Sequence, residues 1–203
     1  MSPLQRATES RQGVSPASGT DTHMPRLYLV RHGKATEDSE EDPGLTDTGR
    51  AQAEAMALAL APKGPLPLLT SPFRRTRETA APLERLWGVS IQTDPRIGEI
   101  PVPPGVSMSR AEWLKFVRQR RWPDLDRPLR LWRDRVLEAL LEIARDTVVV
   151  THFVAINVAV GHARHDDRVS CFRPDNGSCT VLDSDGKDFR IVALGSEGKT
   201  QAI

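Results

Sequence analysis

The stretch that most constrains the fold is Leu27-Tyr28-Leu29-Val30-Arg31-His32-Gly33. Four apolar residues run directly into an arginine, a histidine and a glycine. An uninterrupted apolar run this short predicts a strand buried on both faces, the kind found in parallel sheets. Open α/β sheets bind their ligands just beyond the carboxyl ends of such strands, which is where Arg31 and His32 fall. Gly33 predicts a sharp turn of the backbone away from the strand.

Two further stretches share this form. Pro67-Leu68-Leu69-Thr70 is followed by Ser71-Pro72-Phe73-Arg74-Arg75-Thr76-Arg77, so a strand leads into a helix with arginines in its first turns, the serine and proline marking the helix start. Thr147-Val148-Val149-Val150-Thr151-His152 is a β-branched strand that ends on a histidine. In a parallel sheet these three strand ends lie on one edge. The pattern therefore predicts one pocket holding Arg31, His32, Arg74 or Arg75, and His152. Basic groups without compensating acids in their own motifs suit an anion, most simply phosphate.

The elements RHG, LTDTGRAQA, SPFRRTRETA and VVVTH together resemble the histidine phosphatase superfamily, the group that includes the cofactor-dependent phosphoglycerate mutases. The resemblance spans residues 26–194 and rests mainly on RHG combined with SPxxR. It implies an α/β fold: a three-layer α/β/α sandwich with a mostly parallel central sheet and a small helical cap from residues 94–126. It implies metal-independent phosphomonoester hydrolysis through a phosphohistidine on His32, with no cofactor. The catalytic set would be His32, Glu99 and His152, and Arg31, Arg75 and His152 would bind phosphate. Arg75 rather than Arg74 falls on the functional position of the SPxxRAxxTA pattern, which leaves Arg74 and Arg77 as helix-surface charge. Glu99, in the loop after the third strand, takes the place of the family's general acid, and Asp94 is the reserve. Phe153 departs from the pattern, since glycine usually follows the late histidine. Three alternatives stay open on these residues: a protein phosphohistidine phosphatase, mutase-type phosphoryl transfer, and a catalytically weak phosphate-binding module with Phe153 blocking turnover.

Composition narrows the function class. The net charge of +1 on 203 residues argues against a general nucleic-acid or membrane-surface protein and leaves a phosphorylated small molecule or phosphoprotein as the partner. Arginines 118, 120, 121, 127, 130, 133 and 135 crowd one segment and read mostly as a solvated helix face. Cys171 and Cys179 are too few for a zinc site and read as free thiols in a reducing compartment. With no run near the ~20 apolar residues of a membrane span, the expectation is a soluble, cytoplasmic chain. Residues 1–23 hold almost no large apolar side chains and predict a disordered extension, with Met24 as an alternative start. Residues 24–203 form the expected domain.

Helices are expected over residues 46–62, 72–87, 107–121 and 129–144. A fifth runs over 154–160, stopped by Gly161. Short strands are expected at 90–93, 178–183 and 189–194, the last two joined by the Asp185-Gly186 turn. Other motifs fail on inspection. Gly33-Lys34 lacks the first glycine and the Ser/Thr of a phosphate loop. Asp183 to Asp188 places lysine at a calcium-ligand position. His162, His165, Asp166 and Asp167 read as a polar loop rather than a metal site.

Overall fold

The computed structural model describes residues 24–36 and 42–198. The expected N-terminal extension lies outside the described residues. The elements follow in the order β1 (Arg26–Arg31), α1 (Asp47–Leu60), β2 (Leu68–Thr70), α2 (Arg74–Trp87), β3 (Ile91–Thr93), α3 (Arg110–Val117), α4 (Arg127–Leu141), β4 (Thr147–Thr151), α5 (Phe153–Arg164), β5 (Cys179–Ser184) and β6 (Phe189–Ala193). They form a six-stranded sheet in the order β3-β2-β4-β1-β5-β6. The pairings β1·β4, β2·β4 and β2·β3 are parallel, and β5 and β6 add an antiparallel hairpin beyond β1. The expectation of a mostly parallel sheet therefore holds for the half that builds the site.

The apolar run of β1 is central, and its alternate residues serve opposite faces. Leu27 and Leu29 join Val149 of β4, helices α4 and α5 and the cap in one core cluster. Tyr28 and Val30 join Val148 and Val150 with Met56, Ala57, Leu60, Ala80 and Leu83 from α1 and α2 in the other. Leu27, Leu29, Val30 and Val148 to Val150 are all fully buried, as expected of a strand covered on both sides. Helices on both faces of one sheet make three layers.

Local sequence sets the helix ends. The Thr46 side chain caps α1 by accepting from Gly49 N. Gly88, at φ 64°, ends α2 in the left-handed conformation that glycine adopts without penalty. Helix α3 is shorter than expected. Ser109 and Glu112 form a capping box that fixes its start, and beyond Arg118 the chain turns so that Arg121 bridges to Arg168. Helix α4 begins two residues earlier than expected and ends at Leu141. Gly161 does not stop α5. A Cβ there would stand 2.9 Å from Asp166 O, so the glycine serves close packing inside the helix. The helix ends instead at His165, with φ 53°. Trp113, Val117, Trp122 and Leu125 of the cap segment are buried in the same cluster as α4 and α5. No described helix is long and apolar enough to cross a membrane.

Candidate active site

The register brings the three strand ends level. Arg31 pairs with Thr151, and Thr70 pairs with Val150. His32 N donates to Thr151 O and Ser71 N to Val150 O, so the first residues past each strand stay in contact. Arg31, His32, Arg75 and His152 meet at this edge, as the sequence predicts.

His32 is held by its own turn. Its Nδ1 lies 2.8 Å from Gly33 O. A carbonyl only accepts, so Nδ1 carries the proton and the Nε2 lone pair is an acceptor, which Arg75 uses. Arg75 Nε lies 3.3 Å from that Nε2. Burial, then Arg75 and Arg31, push the imidazole pKa well below its ordinary 6.5, which keeps the ring neutral near pH 7. Asn176 Nδ2 donates to His32 O, and Gly177 N to Arg31 O. Gly33 is needed here for close approach: a Cβ would stand 2.5 Å from Gly49 O. Its N–H donates to Thr79 Oγ1 of α2.

Arg75 is nearly buried in the first turn of α2 and bridges both rings, with Nη2 3.3 Å from His152 Nδ1. Arginine only donates, so His152 Nδ1 accepts and Nε2–H donates to Ser71 Oγ at 2.7 Å. The His152 ring is fully buried, 5.2 Å from the His32 ring. Burial, then His32 and Arg75, push its pKa well below 6.5. Ser71 and His152 resemble a nucleophile and base, but Ser71 is fully buried and its hydroxyl also meets Thr76 Oγ1. Such a hydroxyl braces His152 and is shut away from the surface.

Arg31 donates from Nη1 to Pro174 O, while its Nε is buried without a hydrogen-bond partner. Burial lowers the Arg31 and Arg75 pKa values to about 10, still leaving both guanidiniums charged at neutral pH. Glu99 is 7% exposed, and its Oε1 accepts from Ile100 N and from Val154 N in the first turn of α5. Its charge acts on Arg31, Arg75 and Arg118 alike. The reserve residue, Asp94, is committed elsewhere: it caps its own turn and pairs with Arg96. Arg74 is exposed and bonds Glu78, and Arg77 is exposed, in keeping with helix-surface charge.

Several contributors were not legible in the sequence. Arg118, read as part of a solvated helix face, is instead largely covered, with its guanidinium 4.1 Å from the Phe153 ring centroid. The Phe153 ring also lies 5.3 Å from the Arg31 guanidinium. Phe73 plays the same part for Arg75, at 4.5 Å, and for Arg110 of α3, at 5.3 Å. Asp42 caps α2 by accepting from Arg74 N and stands 3.8 Å from Arg75 Nη1. Residues 171–177 are tied to α5 by Asn157, whose Oδ1 accepts from Cys171 N and Phe172 N. His162 reaches Asp188 at 3.4 Å, and among the described residues no group of three or more His, Cys, Asp or Glu side chains is placed to hold a metal ion.

A family profile, the histidine phosphatase superfamily (branch 1), matches residues 27–197, and the chain belongs to that family. The family's coarse chemistry is phosphoryl hydrolysis or transfer. Among solved structures, that of a mycobacterial glucosyl-3-phosphoglycerate phosphatase with VO3 superposes with TM-score 0.67 at 22% identity, covering 85% of this chain and 100% of that one. A protein called mycobacterial hydrolase 1 superposes with TM-score 0.65 at 20% identity, covering 86% and 100%. A PE-PGRS family protein of Mycobacterium tuberculosis is 42% identical over 82 residues, 36% of this chain and 14% of its own length. A probable phosphoglycerate mutase of Photorhabdus laumondii is 32% identical over 83 residues, 38% of this chain and 39% of its own. The chain thus spans less than half the length of the curated relatives it matches.

Proposed function

We propose that this chain is a metal-independent phosphomonoester hydrolase that works through a phosphohistidine on His32. The observation that carries the reading is the unprotonated Nε2 of a neutral His32, aimed by the Nδ1 bond to Gly33 O and accepting from Arg75 Nε, a donor that a bound phosphoryl oxygen would take over. Glu99 takes up a proton as the monoanionic ester binds, Nε2 attacks phosphorus as the ester P–O bond breaks, and Glu99 passes that proton to the leaving oxygen. Glu99 then takes a proton from water as the water oxygen attacks phosphorus. The P–N bond breaks, and inorganic phosphate and neutral His32 result. Arg31 and Arg75 offer planar donor forks to the phosphoryl oxygens and supply the charge stabilisation that a metal ion gives in other phosphatases.

His152 is the charged donor in this scheme. The pocket without phosphate keeps it neutral, and a bound dianion offsets the repulsion from Arg75, Arg110 and Arg31, which favours its protonation in the complex. Transfer of the phosphoryl group to a second hydroxyl instead of water would give the mutase reaction, which the name of the Photorhabdus relative keeps as the second reading. The testing assay is phosphate release from an aryl phosphate in EDTA. Wild type is expected to turn over and His32→Ala to be inactive. Activity retained by His32→Ala, or abolished by the chelator in wild type, overturns the proposal.

A further inference from the structure

Arg75 commits each of its three guanidinium nitrogens to a different partner. Nε lies 3.3 Å from His32 Nε2, Nη2 lies 3.3 Å from His152 Nδ1, and Nη1 stands 3.8 Å from Asp42 Oδ1. The Phe73 ring lies against the same group, with its centroid 4.5 Å from the central carbon. Nε and Nη2 form the side-on fork that arginine presents to a phosphate, so a bound phosphoryl group takes both of those donors from the histidines. Nη1 lies outside that fork and retains Asp42. Asp42 is therefore the side-chain partner of Arg75 that substrate binding does not displace. Arg75 is nearly buried, so water screens this pair less than it would screen two surface charges.

Asp42 is itself fixed. Its two carboxylate oxygens accept from Arg74 N at 3.0 and 2.9 Å, in the first turn of α2. Leu45 N donates to Glu78 of the same helix, and Thr36 N donates to Gly44 O, which ties the residues after Asp42 to the exit of β1. Glu99 and Asp42 are the two carboxylates whose charge acts on Arg75. In the reaction above Glu99 carries a proton, and so no charge, while the ester bond breaks; Asp42 enters no proton step. We propose that Asp42 is a positioning residue whose charge holds Arg75 by Nη1, so that the Nε and Nη2 fork faces the phosphoryl oxygens throughout the reaction. This role is distinct from its capping of α2, and it rests on the phosphomonoester reading above.

Asp42→Asn separates the two roles. Asparagine caps a helix about as well as aspartate, so Oδ1 still accepts from Arg74 N while the charge is gone. The variant is expected to keep the wild-type Tm and to lose about tenfold in kcat on an aryl phosphate, the size of a coupling between residues in contact. KM is expected not to rise, because removing a negative charge beside the pocket does not weaken the binding of an anion. Asp42→Ala removes the cap as well, and is expected to lower Tm with a similar loss in kcat. A kcat for Asp42→Asn within about twofold of wild type, or a raised KM at unchanged kcat, overturns the inference. Side-chain NMR reads Arg75 without turnover. Its Nε–H resonance, assigned by its absence from Arg75→Lys, is expected to exchange with solvent at least about tenfold faster in Asp42→Asn than in wild type. Equal exchange in the two proteins overturns the inference. If wild type hydrolyses no aryl phosphate, the hydrolase reading falls and the exchange rates decide the role of Asp42. A wild type active in EDTA and silenced by His32→Ala, beside an Asp42→Asn variant that matches it, overturns only the role of Asp42.

Discussion

Gly33→Ala probes the first strand's exit directly. The added Cβ would sit 2.5 Å from Gly49 O and 3.1 Å from Gly49 Cα and C, all backbone atoms that cannot rotate aside. Reaching an ordinary 3.4 Å contact takes a displacement of about 0.9 Å. The moving residue carries the carbonyl that accepts from His32 Nδ1 and the N–H that donates to Thr79. Overpacking of this kind costs about 1–3 kcal/mol of stability. Displacement of a reacting group by roughly 1 Å costs on the order of 100-fold in rate. The expected variant is thus folded at 25 °C, with a lowered Tm and kcat on an aryl phosphate reduced far more than its unfolded fraction explains. Thermal melts and steady-state kinetics on the same preparation separate the two effects. A variant whose Tm is unchanged and whose kcat stays within about twofold of wild type would refute the claim that this glycine sets the position of His32.

Glu99→Gln keeps an acceptor for Val154 N and Ile100 N but cannot cycle a proton. It is expected to lose about 100- to 10,000-fold in kcat on alkyl phosphates and much less on an aryl phosphate with a good leaving group; equal losses on both would reject Glu99 as the acid. His32 and His152 have folded pKa values well below 6.5, so the unfolded chain binds more protons than the folded chain as pH falls past that value. Stability is therefore full above pH ~6.5 and declines below it by up to about 1.4 kcal/mol per pH unit for each histidine. Urea titrations through this range check the slope, and His152→Asn should make it shallower; stability that rises as pH falls would contradict the depressed values. Cys179, whose thiol burial pushes up to about 12, should react with thiol reagents at mildly alkaline pH far more slowly than after denaturation, and fast labelling of the native chain would count against its burial.

The parts of this molecule legible in the sequence are those that depend on short-range pattern. The apolar run of β1, the serine and proline before α2 and the β-branched run of β4 place three strand ends, and parallel pairing does the rest. The reading stopped where contacts come from distant segments. Arg118 sits among arginines whose spacing suits an exposed helix, and nothing near it in the chain signals that Phe153 covers it. Gly161 looks like a helix stop because glycine is a poor helix former, yet its missing Cβ serves a tight contact with Asp166 O. Asn176 and Pro174 lie in a turn with no chemical signature, and they act on His32 and Arg31 because Asn157, Ser196 and Glu197, distant in sequence, hold that turn in place. Ser71 is visible as a helix-start residue, but its bond to His152 is a product of the sheet register.

The most direct measurement is to quench wild type during turnover of an aryl phosphate, digest it under alkaline conditions that preserve phosphoramidates, and locate the covalent phosphate by mass spectrometry. The account predicts an alkali-stable, acid-labile phosphate on the peptide containing His32, absent from His32→Ala. Steady turnover with no phosphate on His32, or an acid-stable phosphate on Ser71, would contradict it.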